Sequence, residues 1–289
     1  MNKPSYEVLQ GFCQNSFLLR SFEETAFSSP YHFHPEYELT LILKGKGKRF
    51  VNHHMADYVS GDLVLLGANQ PHCWKTEDIV EGETNAHSIV IQFSRDFLGE
   101  HFFSKPEFSD INLLLQRSAN GIQFIKHTQE KVKAKMIALV NEESNFKRVI
   151  SLLDILQDLA ISDSFLLLSK DTATAQQSPI DKERINPIFA YLIENFRNNV
   201  SLNEAAEIAN MSPNAFCRYF KKITRKTFME TVIDYRINYA TQQLIHTNQP
   251  VSEICFKSGF TDTSHFYRIF RSKMKLSPLA YRKKINKEI

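Results

Sequence analysis

Four side chains in the first quarter of the chain could do chemistry together: His32, His34, Glu38 and His72. Three imidazoles and a carboxylate form a donor set that suits zinc, iron, manganese or nickel. Without metal, the same four groups would line a polar pocket and hydrogen-bond a small organic effector. Trp74 lies two residues beyond His72, on the same side of any strand that holds both, and would give such a pocket a wall for ring stacking or simply fill core. Alternation along a strand puts His32, His34 and Glu38 on one face, so that they can converge with His72 from another strand.

The elements that must bring them together are short strands broken by turn signals. They are read at His34–Leu43, Lys48–Asn52, Asp62–Leu66, His72–Lys75 and His87–Phe93. Such spacing suggests a β-barrel or double-sheet jelly roll. Within it, His32-x-His34-x₃-Glu38-x₆-Gly45 resembles the first cupin motif. Gly61-x₅-Gly67-x-Asn69-x₂-His72 resembles the second, with Gly67 and Asn69 where that motif has proline and glycine.

Over residues 130–168 the period changes. Met136, Val140, Val149, Leu152, Leu153, Leu156 and Leu159 recur at helical spacing, with a break near Glu142–Asn145. Two helices are therefore expected after the barrel, packed against it. The polar stretch from Lys170 to Pro179 has no large apolar residue and reads as a linker. The expected division is a barrel domain at 1–168, a linker at 169–179 and a second domain at 180–289.

That second domain carries one helix-turn-helix pattern twice. In the first copy Ser201-Leu-Asn-Glu204 reads as a capping box, Asn210-Met211 as the turn, and Ser212 as the cap of a second helix with Pro213 at its first position. In the second copy Ile254 lies on the scaffold helix, Gly259 makes the turn and Asp262 caps a helix from Thr263 to Lys273. Phe216 and Phe266, Phe220 and Phe270, and Arg218 and Arg268 are each fifty positions apart. Between the copies Phe228–Ile245 reads as one helix, with Val232, Ile233, Tyr235, Ile237, Ala240 and Leu244 as its apolar stripe and Arg236 outside. At about 1.5 Å per residue it is a strut of roughly 27 Å, which suits two helices reaching successive major grooves.

These residues resemble the AraC/XylS family of bacterial transcription regulators over roughly 185–284, most specifically from Ile254 to Arg282. The signature there is Gly259-Phe260, Phe266-Tyr-Arg-Ile-Phe270 and Ser277-Pro278-Leu-Ala-Tyr281-Arg282. The barrel is similar to the sensor half of the same family. Where the family has glycine after each recognition helix, this chain has Arg225 and Lys275, whose charges could meet phosphate. Alignment with the family places Asn214, Cys217 and Arg218 in the first copy, and Ser264, His265 and Arg268 in the second, at base-reading positions. Arginine suits bidentate contact with guanine. Lys221, Lys222, Arg225, Arg271 and Lys275 are the accompanying phosphate contacts.

The resemblance implies a sequence-specific DNA-binding regulator that responds to a small effector, such as a sugar, at His32, His34, Glu38, His72 and Trp74. It also implies a homodimer that contacts RNA polymerase if it activates. No cofactor and no enzymatic activity are expected. The alternative is a metal-dependent cupin enzyme with a DNA-binding tail, using His32, His34, Glu38 and His72 as ligands. No other acid, base or nucleophile is placed to serve it, and its second motif is altered.

Charge and composition agree with the regulator. From Ile180 onward there are 18 Lys and Arg against 10 Asp and Glu, a surplus of eight, while residues 1–179 hold 17 against 22. The near-neutral total hides a basic second half. Cys13, Cys73, Cys217 and Cys255 form no CxxC pair or zinc-ligand spacing, which argues for a reducing compartment. No stretch has the apolar length of a membrane span and the start lacks an apolar signal core, so a cytoplasmic protein without membrane contact is expected. The fold class is α+β: a cupin-like barrel followed by helices, then an all-α domain of two helix-turn-helix units joined by a long helix.

Overall fold

A computed structural model describes residues 5–7, 15–52, 54–77, 79, 84–168 and 179–288. The chain forms two compact units, residues 4–176 and 177–289. Of the stretch 169–179 read as a linker, all but Pro179 lies outside the described residues, and Pro179 opens a helix. Cys13 lies outside them too.

Among the described residues the first unit is built on two sheets. One has five strands in the order β1(Ser5–Tyr6), β3(His32–Phe33), β8(His72–Thr76), β5(Gly47–Val51), β6(His54–Tyr58). The other has six, in the order β11(Phe165–Leu167), β10(Ile122–Phe124), β7(Leu63–Leu66), β4(Tyr37–Lys44), β9(Ala86–Phe93), β2(Phe17–Glu24).

Strict alternation along β4 and β9 sorts their side chains between two environments. Leu39, Leu41, Ile89, Ile91 and Phe93 join Leu63 and Leu65 on the outer face of the six-stranded sheet. There they meet α1(Ser109–Arg117), α2(Lys126–Val140) and α3(Asn145–Ala160) through Ile111, Leu114, Val132, Met136, Leu152, Leu156 and Leu159. The inner-face residues Glu38, Thr40, Ile42, Ser88, Val90 and Gln92 are left to line a cavity. The expected pair of helices is thus α2 and α3, broken at 141–144, with α1 before them and the short strand β11 closing the segment.

Among the described residues the second unit has seven helices: α4(Pro179–Asn195), α5(Leu202–Ile208), α6(Pro213–Thr224), α7(Phe228–His246), α8(Val251–Lys257), α9(Thr263–Met274) and α10(Pro278–Glu288). Ser212 caps α6 on the Ala215 amide and Asp262 caps α9 on the His265 amide. Phe216, Phe220, Phe266 and Phe270 are all fully buried. Phe216 and Phe220 pack edge-on to Phe228, and Phe270 packs on Tyr281.

Two details differ from the sequence reading. Ser201 does cap α5 on the Glu204 amide, but Glu204 does not return to the Ser201 N–H. Its carboxylate accepts from the Tyr191 hydroxyl, whose oxygen in turn takes the Ser201 N–H. The complete capping box is at the head of α7, between Thr227 and Glu230. Arg236, read as lying outside the apolar stripe, is half-buried: its Nε donates to the Phe196 carbonyl at 2.7 Å and its Nη2 to the Asn198 carbonyl at 2.9 Å. The chain between α4 and α5 presents those carbonyls with no helical partner, and a guanidinium satisfies two at once. Arg282 does the same at the end of α7, donating to the carbonyls of Leu244 and Gln249.

Candidate functional site

The cavity of the first unit has a volume of about 360 Å³ and lies between the two sheets. His32, Glu38, His72 and Trp74 line it; His34 does not, being packed behind Glu38. The four cupin-type groups do converge, but not along one strand. The chain leaves the five-stranded sheet after Phe33 and enters the six-stranded sheet at Tyr37, so His32 and Glu38 face each other from opposite sheets. His32 is paired in register with His72, their rings 4.3 Å apart between centroids.

Glu38 is the electrostatic centre. It is 4 % exposed, and its Oε2 accepts from His34 Nε2 at 3.0 Å and from Gln92 Nε2 at 2.9 Å; its Oε1 accepts from the Thr40 hydroxyl at 2.6 Å and lies 3.5 Å from His72 Nε2. Burial alone would push this carboxyl up, yet His72 and His34 together hold it well below the ordinary range. The pairing works in reverse on His34. Burial opposes its charged form, but Glu38 with Glu36 raises it above the usual histidine value. His32 goes the other way, down to about 4, because it is desolvated and faces His72.

His32, His34 and His72 each bring a ring nitrogen within 4.8 Å of the others, close enough for three ligands. Their ring nitrogens are only partly engaged: His34 Nδ1 and His72 Nε2 are buried with no hydrogen-bond partner. His32 Nδ1 bonds the Pro30 carbonyl and its Nε2 lies 3.2 Å from Glu7, His34 Nε2 bonds Glu38, and His72 Nδ1 bonds the Gln70 carbonyl. The network forms the polar floor of the pocket, and its unpartnered buried nitrogens would fit a metal as well as an organic ligand.

Most of the lining escaped the sequence reading. Gln92 donates to Glu38 Oε2 beside His34, its Nε2 3.3 Å from His34 Nε2; the alternation Ser88, Val90, Gln92 in an otherwise apolar run was the available signal. Arg20 and Glu24, on β2, and Glu7 complete the charged rim, with Arg20 3.8 Å from Glu7. Phe22, Phe27 and Trp74 supply aromatic walls.

In the second unit the recognition-type helices α6 and α9 each span twelve residues and are exactly matched neither in sequence nor in their turns. Scaffold helices α5 and α8 are 49 positions apart, while α6 and α9 are 50 apart, so the second turn is one residue longer. The turns pivot on Asn210 (φ 53°) and Gly259 (φ 88°). Asn214, Cys217, Arg218, Lys221, Lys222 and Arg225 are exposed, as are Ser264, Arg268, Arg271 and Lys275. His265 is half-buried, its ring 5.9 Å from that of Phe260. An open groove beside α9 is lined by Tyr267, Arg268, Arg271, Ser272 and Ser277. Neither Cys73 nor Cys255 is available to a ligand, since both are buried core; Cys217 is exposed on α6.

Comparison with known proteins divides at the same place. Residues 15–94 match the model of the AraC-like ligand binding domain, and residues 205–284 match a helix-turn-helix domain model. An uncharacterized HTH-type transcriptional regulator of Bacillus subtilis, YdeC, is 26 % identical over 88 % of this chain and 86 % of its own. The HTH-type transcriptional activator RhaS of Mannheimia succiniciproducens is 22 % identical over 86 % and 87 %. The melibiose operon regulatory protein of Escherichia coli is 19 % identical over 90 % and 87 %.

Proposed function

We propose, for a chain that belongs to the AraC/XylS family of DNA-binding transcriptional regulators, that the small molecule it answers to is a sugar or similar polyol held between the two sheets. The observation that carries this is the composition of the cavity wall. Glu38, Gln92, Thr40, Ser88, His32 and His72 form a floor of acceptors and donors, while Trp74, Phe22 and Phe27 stand beside it. Vicinal hydroxyls suit such a floor, and the C–H face of a sugar ring suits an aromatic wall. A relative named for the melibiose operon supports the same class. His34 serves from behind, by fixing Glu38.

The protein acts as a regulator rather than an enzyme, in line with the relatives named above. Arg218 and Arg268 read base edges from α6 and α9, with Asn214, Cys217, Ser264 and His265 beside them. Lys221, Lys222, Arg225, Arg271 and Lys275 hold phosphates. Residues 1–168 sense and dimerise, 169–179 link, and 180–289 bind the duplex. The dimer contact uses the apolar residues that α3 leaves exposed, Phe146 and Ile150, together with Ile137 of α2. No helix among the described residues is long and apolar enough to cross a membrane. The protein works in the cytoplasm and, if it activates, engages RNA polymerase there.

A screen of mono- and disaccharides by thermal shift tests the effector reading: one sugar raises the melting temperature of the wild-type chain, and the Glu38→Ala chain does not respond to it. A shift produced by divalent metal alone and removed by a chelator is the result that returns the histidines to the metal reading.

A further inference from the structure

Two lysines of the second unit are not available to DNA in the way their neighbours are. Lys226 follows Arg225 at the end of α6, and Lys273 lies in the last turn of α9. Both bind one carboxylate: Lys226 Nζ is 2.7 Å from Asp234 Oδ2 and Lys273 Nζ is 2.7 Å from Asp234 Oδ1. Asp234 stands on α7, between the two helix-turn-helix units. One turn earlier on α7, Glu230 carries a carboxyl drawn below its ordinary range, first by the Thr227 amide and hydroxyl and further by Lys221 and Lys273. An acidic edge of the strut therefore meets the basic ends of both recognition helices.

Exposed ion pairs of this kind contribute little to folding. Their larger effect is on charge. Affinity for duplex of arbitrary sequence is set by the number of phosphates that lysine and arginine neutralise, and each one adds about 0.9 to the slope of log K against log salt. A carboxylate that occupies two lysines removes them from that count. It also ties the C-terminal end of α6 to that of α9, and so fixes the placement that a two-part operator must meet.

We propose that Asp234 is a specificity-determining and positioning residue: by holding Lys226 and Lys273 it suppresses indiscriminate phosphate binding and sets the two recognition helices in register. The inference rests on the DNA-binding role of the second unit, which wild-type binding in the same titrations checks separately.

The test uses the full chain, a duplex recovered from a random library by in vitro selection with the wild type, and a mixed-sequence duplex. Asp234→Asn should bind the mixed duplex roughly three- to tenfold more tightly, with a salt slope steeper by about 1 to 2. The ratio of selected to mixed affinity should fall by at least the same factor. Asp234→Glu, which keeps the charge, should stay near wild type. Adding Lys226→Ala and Lys273→Ala to Asp234→Asn should return the salt slope to its wild-type value. An unchanged slope and ratio in Asp234→Asn overturns the proposal. So does equal weakening on both duplexes, or a gain that survives removal of the two lysines.

Discussion

Arg225 and Lys275, fifty positions apart, end their helices in the same left-handed conformation, with φ 61° and ψ 4° at the first and φ 61° and ψ 6° at the second. Each donates its N–H back four residues, to the carbonyls of Lys221 and Arg271. A side chain in this region is strained by roughly 1–2 kcal/mol, and glycine is not. Arg225→Gly and Lys275→Gly should each therefore raise stability by about 0.5–1 kcal/mol while weakening DNA binding through the lost charge. Chemical denaturation and a binding titration on the same samples check both signs; a stabilised variant with undiminished affinity would remove these residues from the phosphate set.

Arg268→Ala should cost about 1–3 kcal/mol on the selected duplex and relax preference at one base pair, if the exposed guanidinium reads a base edge. Lys222→Ala should weaken selected and mixed duplexes alike. Equal losses on both duplexes for Arg268→Ala would assign it to the backbone.

Gly259 faces the chain between α4 and α5: a Cβ there would meet the Phe196 carbonyl oxygen at 2.8 Å, at a φ of +88°. Gly259→Ala should destabilise the second unit by on the order of 1–3 kcal/mol and displace the second helix-turn-helix from its seat. Hydrogen exchange at the Phe260 amide, which is bonded to the Cys255 carbonyl, reports the displacement. Wild-type protection in the variant would show that the neighbouring backbone gives way at no cost.

His54 sits half-buried on β6, its Nδ1 without a hydrogen-bond partner. Burial, and then the Arg49 guanidinium, push its pKa down to about 4. Its unfolded value is near 6.5. Between these two the unfolded chain binds a proton that the folded chain refuses, so stability is complete above about pH 6.5 and is lost as pH falls toward 4, at up to about 1.4 kcal/mol per pH unit. His54→Gln should flatten this limb of the melting-temperature profile. A slope equal to that of the wild type would place the acid sensitivity elsewhere.

Much of the second unit was legible because its signals are local. Two capped helices with phenylalanines at i and i+4 fix each recognition helix from a dozen residues. Arg236 was not legible, because its partners are the carbonyls of Phe196 and Asn198, 40 and 38 positions away and carrying no side-chain signature. In the barrel, His32, His34, Glu38 and His72 were readable from spacing, yet the switch between sheets at 34–36 was not, since the residues on either side suit a continuous strand. Strand β2 was missed for a different reason. Its burial runs from two buried residues to exposed ones without alternation, because one end lies under α-helical cover and the other lies at the cavity rim.

The division of labour on α6 and α9 has an evolutionary consequence. Burial on each helix rests on its two phenylalanines, while Arg218, Arg268 and most of their neighbours lie in solvent and hold up nothing. Exposed substitutions of that kind shift stability by no more than about 0.5 kcal/mol. On the base-reading role proposed for these side chains, a lineage can therefore exchange one operator for another by single steps across this surface, each intermediate still folded. His265 is the position where drift meets resistance, because it is half-buried, its ring standing edge-on to that of Phe260.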